Sequence, residues 1–263
     1  NARITKKSYS KWKMIPTTSN ILFKSFDICF SQNKETTKYL KSLGSKKIKF
    51  IGNLKFSESK TQKNNNFDNN LKKIFKSKKI WCAASTHDAE EKICVLTHKK
   101  LKNKYSNLLT IIIPRHIQRT NDIINEIKNL DLKVQTHSTN SKINKNTEIY
   151  IVDTYGETKS FFKICNTVFL GGSLINHGGQ NPLEPARFGC KILHGPYIQN
   201  FTEIYKLLNQ NNLSSKFSNV NQLVKLVDQS FKQNQNYTNK AIKLKKIGSN
   251  ILDHTLANIN YYL

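Results

Sequence analysis

The chain has 263 residues, of which 37% are hydrophobic, and this is enough to bury the core of one large domain or of two small ones. Its 43 Lys and Arg residues outnumber 17 Asp and Glu residues, which gives a formal charge of +26. This charge favours nucleic acid, an acidic membrane surface or a phosphorylated ligand as a partner. The alternative is that the excess of lysine is a compositional bias spread over solvated faces. No run of about 20 apolar residues occurs, so the composition excludes a membrane span. The five cysteines are widely spaced and lack the spacing of metal ligands, which is typical of reduced core residues in a cytosolic protein.

Apolar runs and helical periodicities alternate along the whole chain. The predicted strands are residues 27–32, 48–52, 79–84, 108–113, 133–137, 148–152, 167–170 and 191–194. The predicted helices are residues 33–43, 88–104, 118–129, 157–165, 182–188, 201–209, 219–233 and 238–260. This alternation predicts an α/β fold, in which a parallel sheet is covered by helices on both faces.

A polar, asparagine-rich and lysine-rich stretch at residues 57–78 is predicted to be a linker or exposed loop. It would separate residues 1–56, the end of one α/β domain, from residues 79–240, a nearly complete doubly wound domain. Residues 241–263 are expected to form a C-terminal helix that packs back on the first domain. The lysine-rich segment around Trp12 has two interpretations, a basic aromatic patch on a membrane or a solvated helix.

Polar motifs follow four of the predicted strands. They are Ser85-Thr86-His87, Pro114-Arg115-His116, Asp153-Thr154-Tyr155-Gly156-Glu157 and the glycine-rich loop that begins at Gly171. In an open α/β sheet, ligands bind at the carboxyl ends of the strands. The sequence therefore predicts that these motifs line one cleft.

The glycine-rich loop contains two glycine pairs, Gly171-Gly172 and Gly178-Gly179, directly before a predicted helix. Asn181 is predicted to be the N-cap of that helix, Pro182 its first residue and Glu184 its third. Glycines let the backbone approach a ligand, and the free N–H groups of a first helical turn bind anions. The loop therefore predicts a phosphate site, whereas the alternative is a well-capped helix with no ligand.

Several side chains in these loops are candidates for binding or catalysis. Arg115 could form a bidentate contact with an anion or a base edge, or could be an ordinary surface arginine. Glu157, at a helix start, could accept from an amine or hydroxyl, and Glu184 could bind a ribose diol, unless either serves only its helix. Lys55 could neutralise a leaving phosphate.

Three histidines also fall in the loops, at positions 87, 116 and 177. A histidine is a natural general base near neutral pH, although a loop histidine more often supports its neighbours through hydrogen bonds. Ser85 and Thr86 are expected to cap the helix that follows, because no nucleophile elbow surrounds them.

Taken in order, the motifs resemble the bacterial 3-deoxy-D-manno-octulosonic acid (Kdo) transferases over nearly the whole chain. The stretches that carry the resemblance are Asn1-Ala2-Arg3, Gly52-Asn53-Leu54-Lys55-Phe56, Ser85-Thr86-His87 with Glu90-Glu91, Pro114-Arg115-His116, Asp153-Thr154-Tyr155-Gly156-Glu157, Gly171-Gly172-Ser173, Gly178-Gly179-Gln180-Asn181-Pro182-Leu183-Glu184-Pro185-Ala186 and Gly195-Pro196. The resemblance implies a GT-B fold with two Rossmann-like domains, of which residues 79–240 would form the donor-binding one.

The resemblance also implies roles for individual residues. Residues that bind the CMP of the donor would be Pro114, Arg115, Tyr155, Gly156, Glu157, Asn181, Pro182, Leu183 and Glu184. Lys55 would stabilise the charge that develops in the transition state. The family's catalytic base is a glutamate of the N-terminal domain, and no residue here matches it. We therefore expect this chain alone to bind CMP but to catalyse poorly or not at all.

The implied reaction moves Kdo from CMP-Kdo to the lipid A precursor with inversion and without a metal or other cofactor. It would take place at the cytoplasmic face of the bacterial inner membrane, where the basic chain meets an anionic surface and nucleic acid is not a partner.

Three residues depart from the family's usual pattern: Tyr155 replaces methionine, Gln180 replaces histidine and Ala89 replaces glycine. The alternatives are a GT-B glycosyltransferase or nucleotide-sugar epimerase with a uridine donor and, more remotely, a basic nucleic-acid-binding module.

Overall fold

A computed structural model describes residues 1–57, 67, 69–139, 143–233 and 238–260. Its strands are β1 (Cys29–Ser31), β2 (Ile48–Phe50), β3 (Lys79–Thr86), β4 (Leu108–Pro114), β5 (Val134–Thr136), β6 (Ile149–Ile151), β7 (Thr167–Leu170), β8 (Lys191–His194) and β9 (Ser214–Lys216). Its helices are α1 (Lys6–Lys13), α2 (Pro16–Lys24), α3 (Lys34–Ser42), α4 (Asn69–Ser77), α5 (Glu90–Lys102), α6 (Thr120–Lys128), α7 (Thr158–Phe162), α8 (Leu183–Arg187), α9 (Thr202–Gln210), α10 (Val220–Lys232) and α11 (Thr238–Asn260). The chain divides into two compact units, unit 1 with Asn1–Thr61 and Lys243–Leu263, and unit 2 with Gln62–Ile242.

Unit 1 contains the parallel pair β1 and β2, with helices packed around a small core. Phe23, Leu40 and Leu43 are buried there, and the ring of Trp12 meets Phe23 edge-on at 5.4 Å. Trp12 therefore anchors α1 on the core of its own unit. Helix α11 belongs to this unit from Lys243 onward, and its Ile251 side chain lies close to the backbone of Gly52.

Unit 2 is built on a seven-stranded parallel sheet with the strand order β5-β6-β4-β3-β7-β8-β9. The central strands are apolar runs buried on both faces, as a sheet covered by helices requires. Trp81, Ile112 and Phe169 belong to the core cluster beneath the helices α5 and α10. The predicted α/β fold with a parallel sheet is thus the observed one.

The strand order places a switch point beside β3. From β3 the chain proceeds to β4 on one side, and after β6 it returns to place β7 on the other side of β3. The loops that leave the carboxyl ends of β3 and β7 therefore meet at the switch point, which is the position where open α/β sheets bind ligands.

All eight predicted strands exist, with ends shifted by up to two residues, and β9 is an additional edge strand that the sequence analysis did not predict. The sequence Ser-Ser-Lys of β9 has no apolar alternation, so its pairing with β8 comes from the fold. Helix α1 corresponds to the solvated helix that was one interpretation of the lysine-rich segment around Trp12, α2 was not predicted, and α7 ends three residues before the predicted boundary.

The prediction of a linker or exposed loop over 57–78 is wrong for Asn69–Ser77, which form helix α4. Leu71, Ile74 and Phe75 fall on one face of this helix, and Phe75 is buried in an aromatic cluster with Tyr150 and Phe161. The polar composition concealed this apolar stripe. Residues 58–66 and 68 of the predicted linker lie outside the described residues.

All five cysteines are buried and free, in agreement with the prediction of reduced core residues. Among the described segments, no helix combines the length and apolar character that crossing a bilayer requires.

Candidate functional site

The four polar motifs lie at the carboxyl ends of four adjacent strands of unit 2. In the chain these strands are β3, β4, β6 and β7, and in the sheet they stand in the order β6-β4-β3-β7. The fold therefore brings the predicted donor-binding residues of unit 2 to one edge of one sheet, across the switch point.

The Pro114-Arg115 motif is held by the central strands. Pro114 is the buried last residue of β4 and stands opposite Thr86 of β3. The backbone N–H of Arg115 donates to the carbonyl of Thr86 over 2.9 Å, while its side chain is exposed. The strand pair thus fixes the backbone of Arg115 and leaves its guanidinium directed to solvent at the sheet edge.

The loop after β6 presents an exposed aromatic ring and a positioned carboxylate. Tyr155 is 68% exposed, and Gly156 adopts a left-handed φ of +85°. Glu157 precedes α7, accepts a hydrogen bond from Thr154 Oγ1, and lies 3.1 Å from Nε2 of His137. Because two partners already hold the carboxylate, its orientation is defined before any ligand arrives.

The loop after β7 surrounds the buried carboxylate of Glu90, a residue of the family resemblance to which the sequence analysis assigned no role. Glu90, at the start of α5, has no exposed surface. Its Oε2 accepts from the N–H groups of His87 and Gly172 at 2.9 and 2.7 Å, and its Oε1 accepts from those of Ser173 and Leu174 at 3.1 and 2.9 Å. Four peptide dipoles therefore stabilise this charge.

This geometry corrects the prediction for the first glycine pair. The N–H groups of Gly172, Ser173 and Leu174 are occupied by an internal carboxylate, so this part of the loop binds Glu90, whereas the predicted anion site was the first turn of the helix that follows. Gly171 is required for the same contact, because a Cβ there would lie 2.2 Å from the carbonyl oxygen of Ser85 and 2.7 Å from Glu90 Oε2. The glycines bring two protein loops together rather than a loop and a ligand.

The predicted helix start after the second glycine pair is shifted by one residue. Helix α8 begins at Leu183, and Pro182 takes the N-cap position with φ −83° instead of the first helical position. The side chain of Asn181 still accepts from the N–H of Leu183 at 3.1 Å, which is an Asx-type contact one residue before the cap. Glu184 lies 3.5 Å from Lys159 Nζ with both side chains about 40% exposed, so this ion pair joins α8 to α7.

Three histidine rings meet beside these loops. The His87 ring centroid lies 4.5 Å from that of His177 and 5.9 Å from that of His116. Burial, together with the positive charges of His177, His116 and Arg115, lowers the pKa of His87 to about 4. The predicted role of a general base near neutral pH does not suit His87, because a base with this pKa takes up a proton weakly at pH 7.

Glu91, a second acidic residue of α5, pairs with Arg119 after β4. The guanidinium of Arg119 donates to both oxygens of buried Glu91, at 2.9 and 3.3 Å, and also to Asp88 at 3.0 Å. Desolvation by burial raises the pKa of the Glu91 carboxyl, which the contact with Arg119 opposes. The sequence signal for both contacts was the pair Glu90-Glu91 in the first turn of α5, beside apolar residues of the same helix, because two buried acids need partners.

Lys55 belongs to unit 1. It lies in a 3₁₀ turn, Leu54–Phe56, whose start is fixed by Asn53 Oδ1 accepting from the N–H of Lys55 at 3.0 Å. Asn1 adds a second contact, since its Oδ1 accepts from the N–H of Leu54 at 3.2 Å. The side chain of Lys55 is exposed on this turn.

Within the described ranges, no group of three or more His, Cys, Asp and Glu side chains is arranged to hold a metal ion.

Comparison with known proteins gives a consistent relationship. A family model described as 3-deoxy-D-manno-octulosonic-acid transferase (kdotransferase) matches residues 1–58. The 3-deoxy-D-manno-octulosonic acid transferase of Haemophilus influenzae is 32% identical over 211 residues, which cover 79% of this chain and 49% of the relative. The enzyme of the same name from Rickettsia prowazekii is 31% identical over 252 residues, 96% of this chain and 53% of the relative. The chain therefore spans about half the length of these curated relatives.

Solved structures show the same fold. The C-terminal CMP-Kdo binding domain of WaaA from Acinetobacter baumannii superposes with a TM-score of 0.61 at 24% identity, over 69% of this chain and 93% of that domain. Anabaena HepE, in complex with UDP and glucose, gives a TM-score of 0.51 at 10% identity over 97% of this chain and 68% of HepE. The α/β fold of GT-B type that the resemblance implied is confirmed.

Proposed function

The chain belongs to the 3-deoxy-D-manno-octulosonic acid transferase family, and we propose that it serves the transfer of Kdo from CMP-Kdo to the lipid A precursor in lipopolysaccharide synthesis. In this proposal unit 2 is the donor-binding domain, and unit 1 is the end of the acceptor-side domain with the C-terminal helix added to it.

One observation carries the proposal. The residues expected to bind CMP are scattered between positions 114 and 184, yet the strand order β6-β4-β3-β7 collects them at the carboxyl edge of one sheet. A binding site of this kind needs convergent groups from several loops, and a parallel sheet with a switch point supplies them.

Each residue has a role that suits its environment. Arg115 offers an exposed planar cation to the anionic donor, and Tyr155 offers an exposed ring on which a base can stack. Glu157 and Glu184 offer carboxylates for amine or hydroxyl groups. The backbone of Pro114, Gly156, Asn181, Pro182 and Leu183 would shape the walls of the site.

In the proposed reaction a hydroxyl of the lipid-linked sugar attacks the anomeric carbon of Kdo with inversion, and CMP leaves. The exposed cation of Lys55 would stabilise the negative charge that develops as the bond between the anomeric carbon and the phosphate oxygen of CMP breaks. We propose that no metal or other cofactor takes part, and that Arg115 supplies positive charge to the nucleotide in unit 2.

The proposed site of action is the cytoplasmic face of the bacterial inner membrane. Unit 1 carries five exposed apolar side chains within and beside α2, Met14, Ile15, Ile21, Leu22 and Phe26, which are called the apolar patch below. Lysines at the ends of α1 and α2 flank this patch. Exposed apolar side chains together with neighbouring lysines suit an anionic lipid surface, where each basic residue contributes on the order of 1 kcal/mol.

Isothermal titration of the chain with CMP tests the donor site. We expect Arg115→Ala and Glu184→Ala each to weaken CMP binding at least tenfold, because each removes a charge-assisted contact. Lys225→Ala on α10 and Glu203→Ala on α9 are matched exposed controls and should leave the affinity unchanged.

Absence of CMP binding to the unaltered chain, or affinity unaffected by both site substitutions, contradicts the donor-site assignment. A parallel titration with UDP separates the proposal from a uridine-dependent glycosyltransferase or epimerase, since tighter binding of UDP than of CMP would favour those enzymes.

A further inference from the structure

The ring of His87 has a polar atom with no partner at the centre of the proposed site. Its side chain is only 9% exposed, and Nε2 is buried without a hydrogen bond to any residue that the structure describes. A buried imidazole nitrogen without a partner costs folding free energy, about 1–3 kcal/mol for a neutral group. A ligand that accepts from this nitrogen would remove that cost.

The unpartnered nitrogen faces the glycine loop rather than the core. Gly172 has φ +64°, and a Cβ built there would lie 3.3 Å from His87 Nε2 and 3.3 Å from His177 Cδ2. The backbone of Gly172 therefore packs directly against the two rings, and Nε2 of His87 lies beside the loop that leaves β7. The rings of His177 and His116 contact the His87 ring and are themselves exposed, so His87 lies directly beneath the surface at the carboxyl edge of the sheet.

Several cationic groups surround the His87 ring. The exposed guanidinium of Arg115 and the partly buried one of Arg119 both act on the His87 ring, together with the other two histidines, and with burial they lower its pKa to about 4. The carboxylates of this neighbourhood are already engaged, Glu90 by backbone N–H groups and Glu91 by Arg119. The electrostatics therefore favour a bound anion and oppose a metal cation.

We propose that His87, His116, His177 and Arg115 form an anion subsite of unit 2, in which the Nε2–H of neutral His87 donates to an oxygen of the ligand. The choice of ligand rests on the function proposed above: the shared chemistry is an anionic oxygen, which comes either from the phosphoryl group of the nucleotide or from the carboxylate of the acidic sugar. In either case His87 is a ligand-binding residue and not a proton acceptor.

Imidazole ¹H–¹⁵N NMR spectra of the full chain give a direct readout. The chain has seven histidines, so single substitutions can assign the signals. We expect the His87 Nε2 signal to move on titration with inorganic phosphate, CMP or free Kdo, whereas the signal of exposed His254 on α11 stays in place. The inorganic probe tests the subsite even if the unaltered chain binds no CMP.

Calorimetry with variants identifies the source of the oxygen. His87→Phe keeps an aromatic ring but removes the donor, and His87→Gln places an amide N–H near the position of Nε2. If the phosphoryl group is bound, His87→Phe weakens the binding of CMP at least tenfold and leaves the binding of cytidine unchanged. In that case His87→Gln retains most of the affinity for CMP. If the carboxylate is bound, His87→Phe leaves the affinity for CMP unchanged and weakens the binding of free Kdo instead. The exposed His116→Ala and His177→Ala variants should show smaller losses for the same probe.

The proposal is overturned if no probe moves the His87 signal, or if His87→Phe and both alanine variants bind CMP and Kdo as the unaltered chain does. Equal loss of cytidine and CMP would also overturn it, since that result would mean a role in shape alone. If CMP binding depends on Arg115 and Glu184, while neither CMP binding nor Kdo binding depends on His87, the subsite is removed and the proposed function stands.

Discussion

Ala89 adopts a left-handed conformation, with φ +66°, directly before α5. The Kdo transferases often have glycine at this position. Glycine suits it because a residue with a Cβ costs roughly 1–2 kcal/mol in the left-handed region. Glu90 must turn inward to reach the glycine loop, and the bend at Ala89 allows it. The chain tolerates this strain because four hydrogen bonds to Glu90 hold the turn.

We expect Ala89→Gly to stabilise unit 2 by about 0.5–1 kcal/mol, since relief of strain exceeds the greater flexibility of glycine in the unfolded chain. Urea unfolding followed by the fluorescence of buried Trp81, in a Trp12→Phe background, measures the effect on this unit. Lys92→Gly, an exposed position in the first turn of the same helix, should instead destabilise by up to about 1 kcal/mol. Equal effects of the two substitutions would contradict the strain at Ala89.

His98 is a core histidine whose Nδ1 contacts Thr110 Oγ1 at 2.9 Å. Burial lowers its pKa from 6.5 to about 4, against the opposing charge of Glu148. The unfolded chain therefore binds a proton between these values that the folded chain does not. We expect stability to fall as the pH decreases from about 6.5 to about 4, by up to about 3 kcal/mol from this residue.

The measurement is the pH dependence of unfolding free energy in His98→Asn, whose amide can keep the contact with Thr110. The slope between pH 6.5 and 4 should be shallower than in the unaltered chain, even if the variant is less stable at pH 7. His254→Asn on the exposed face of α11 is the control. An unchanged slope in His98→Asn would show that the loss of stability on acidification comes from other groups.

At the scale of elements, the close approach of the loops after β3 and β7 depends on Gly171. Its φ is not left-handed, so alanine is allowed by the backbone, but the new methyl group would meet Ser85 O at 2.2 Å and Thr86 Cα at 2.6 Å. We expect Gly171→Ala to destabilise unit 2 by about 2–3 kcal/mol through overpacking. Gly156→Ala is the contrasting variant, because no atom lies within 4 Å of its Cβ and only its φ of +85° opposes alanine.

Urea unfolding reported by Trp81 distinguishes the two glycines. A loss of about 1 kcal/mol for Gly156→Ala and a larger one for Gly171→Ala would agree with strain at the first and collision at the second. A Gly171→Ala protein as stable as the unaltered chain would mean that the two loops can separate without cost.

Prediction of elements from the sequence succeeded where apolar periodicity was strong and failed where it was weak. β3, β4 and β7 are continuous apolar runs, and their positions were predicted within two residues. α4 escaped prediction because only Leu71, Ile74 and Phe75 mark its face among lysines and asparagines, and the aromatic cluster that stabilises it comes from distant segments.

The whole molecule carries a formal charge of +26 and, in unit 1, the exposed apolar patch Met14, Ile15, Ile21, Leu22 and Phe26. We expect the chain to bind vesicles that contain anionic lipid and to be released as salt is raised, since screening shortens the range of lysine charges. The double variant Met14→Ser and Ile21→Ser should weaken binding several-fold because it removes two of the most exposed apolar side chains.

Sedimentation with anionic and with neutral vesicles measures this binding. Leu256→Ser, at an exposed apolar position of α11 outside the patch, should have no effect. Equal binding to both kinds of vesicle would contradict a role for the charge, and equal losses in the double variant and in Leu256→Ser would contradict a role for the patch.

The sequence by itself determined the fold class, most of the strands and helices, and the family, because each depends on local periodicity or on short motifs of adjacent residues. It also identified the loops that carry the candidate donor site. Only the tertiary structure decided which groups meet: Glu90 occupies the N–H groups of the glycine loop 82 or more residues away, and His87 keeps an unpartnered nitrogen beside Gly172. These contacts join separate strands of one sheet, and their geometry depends on strand order and register, which no local pattern encodes.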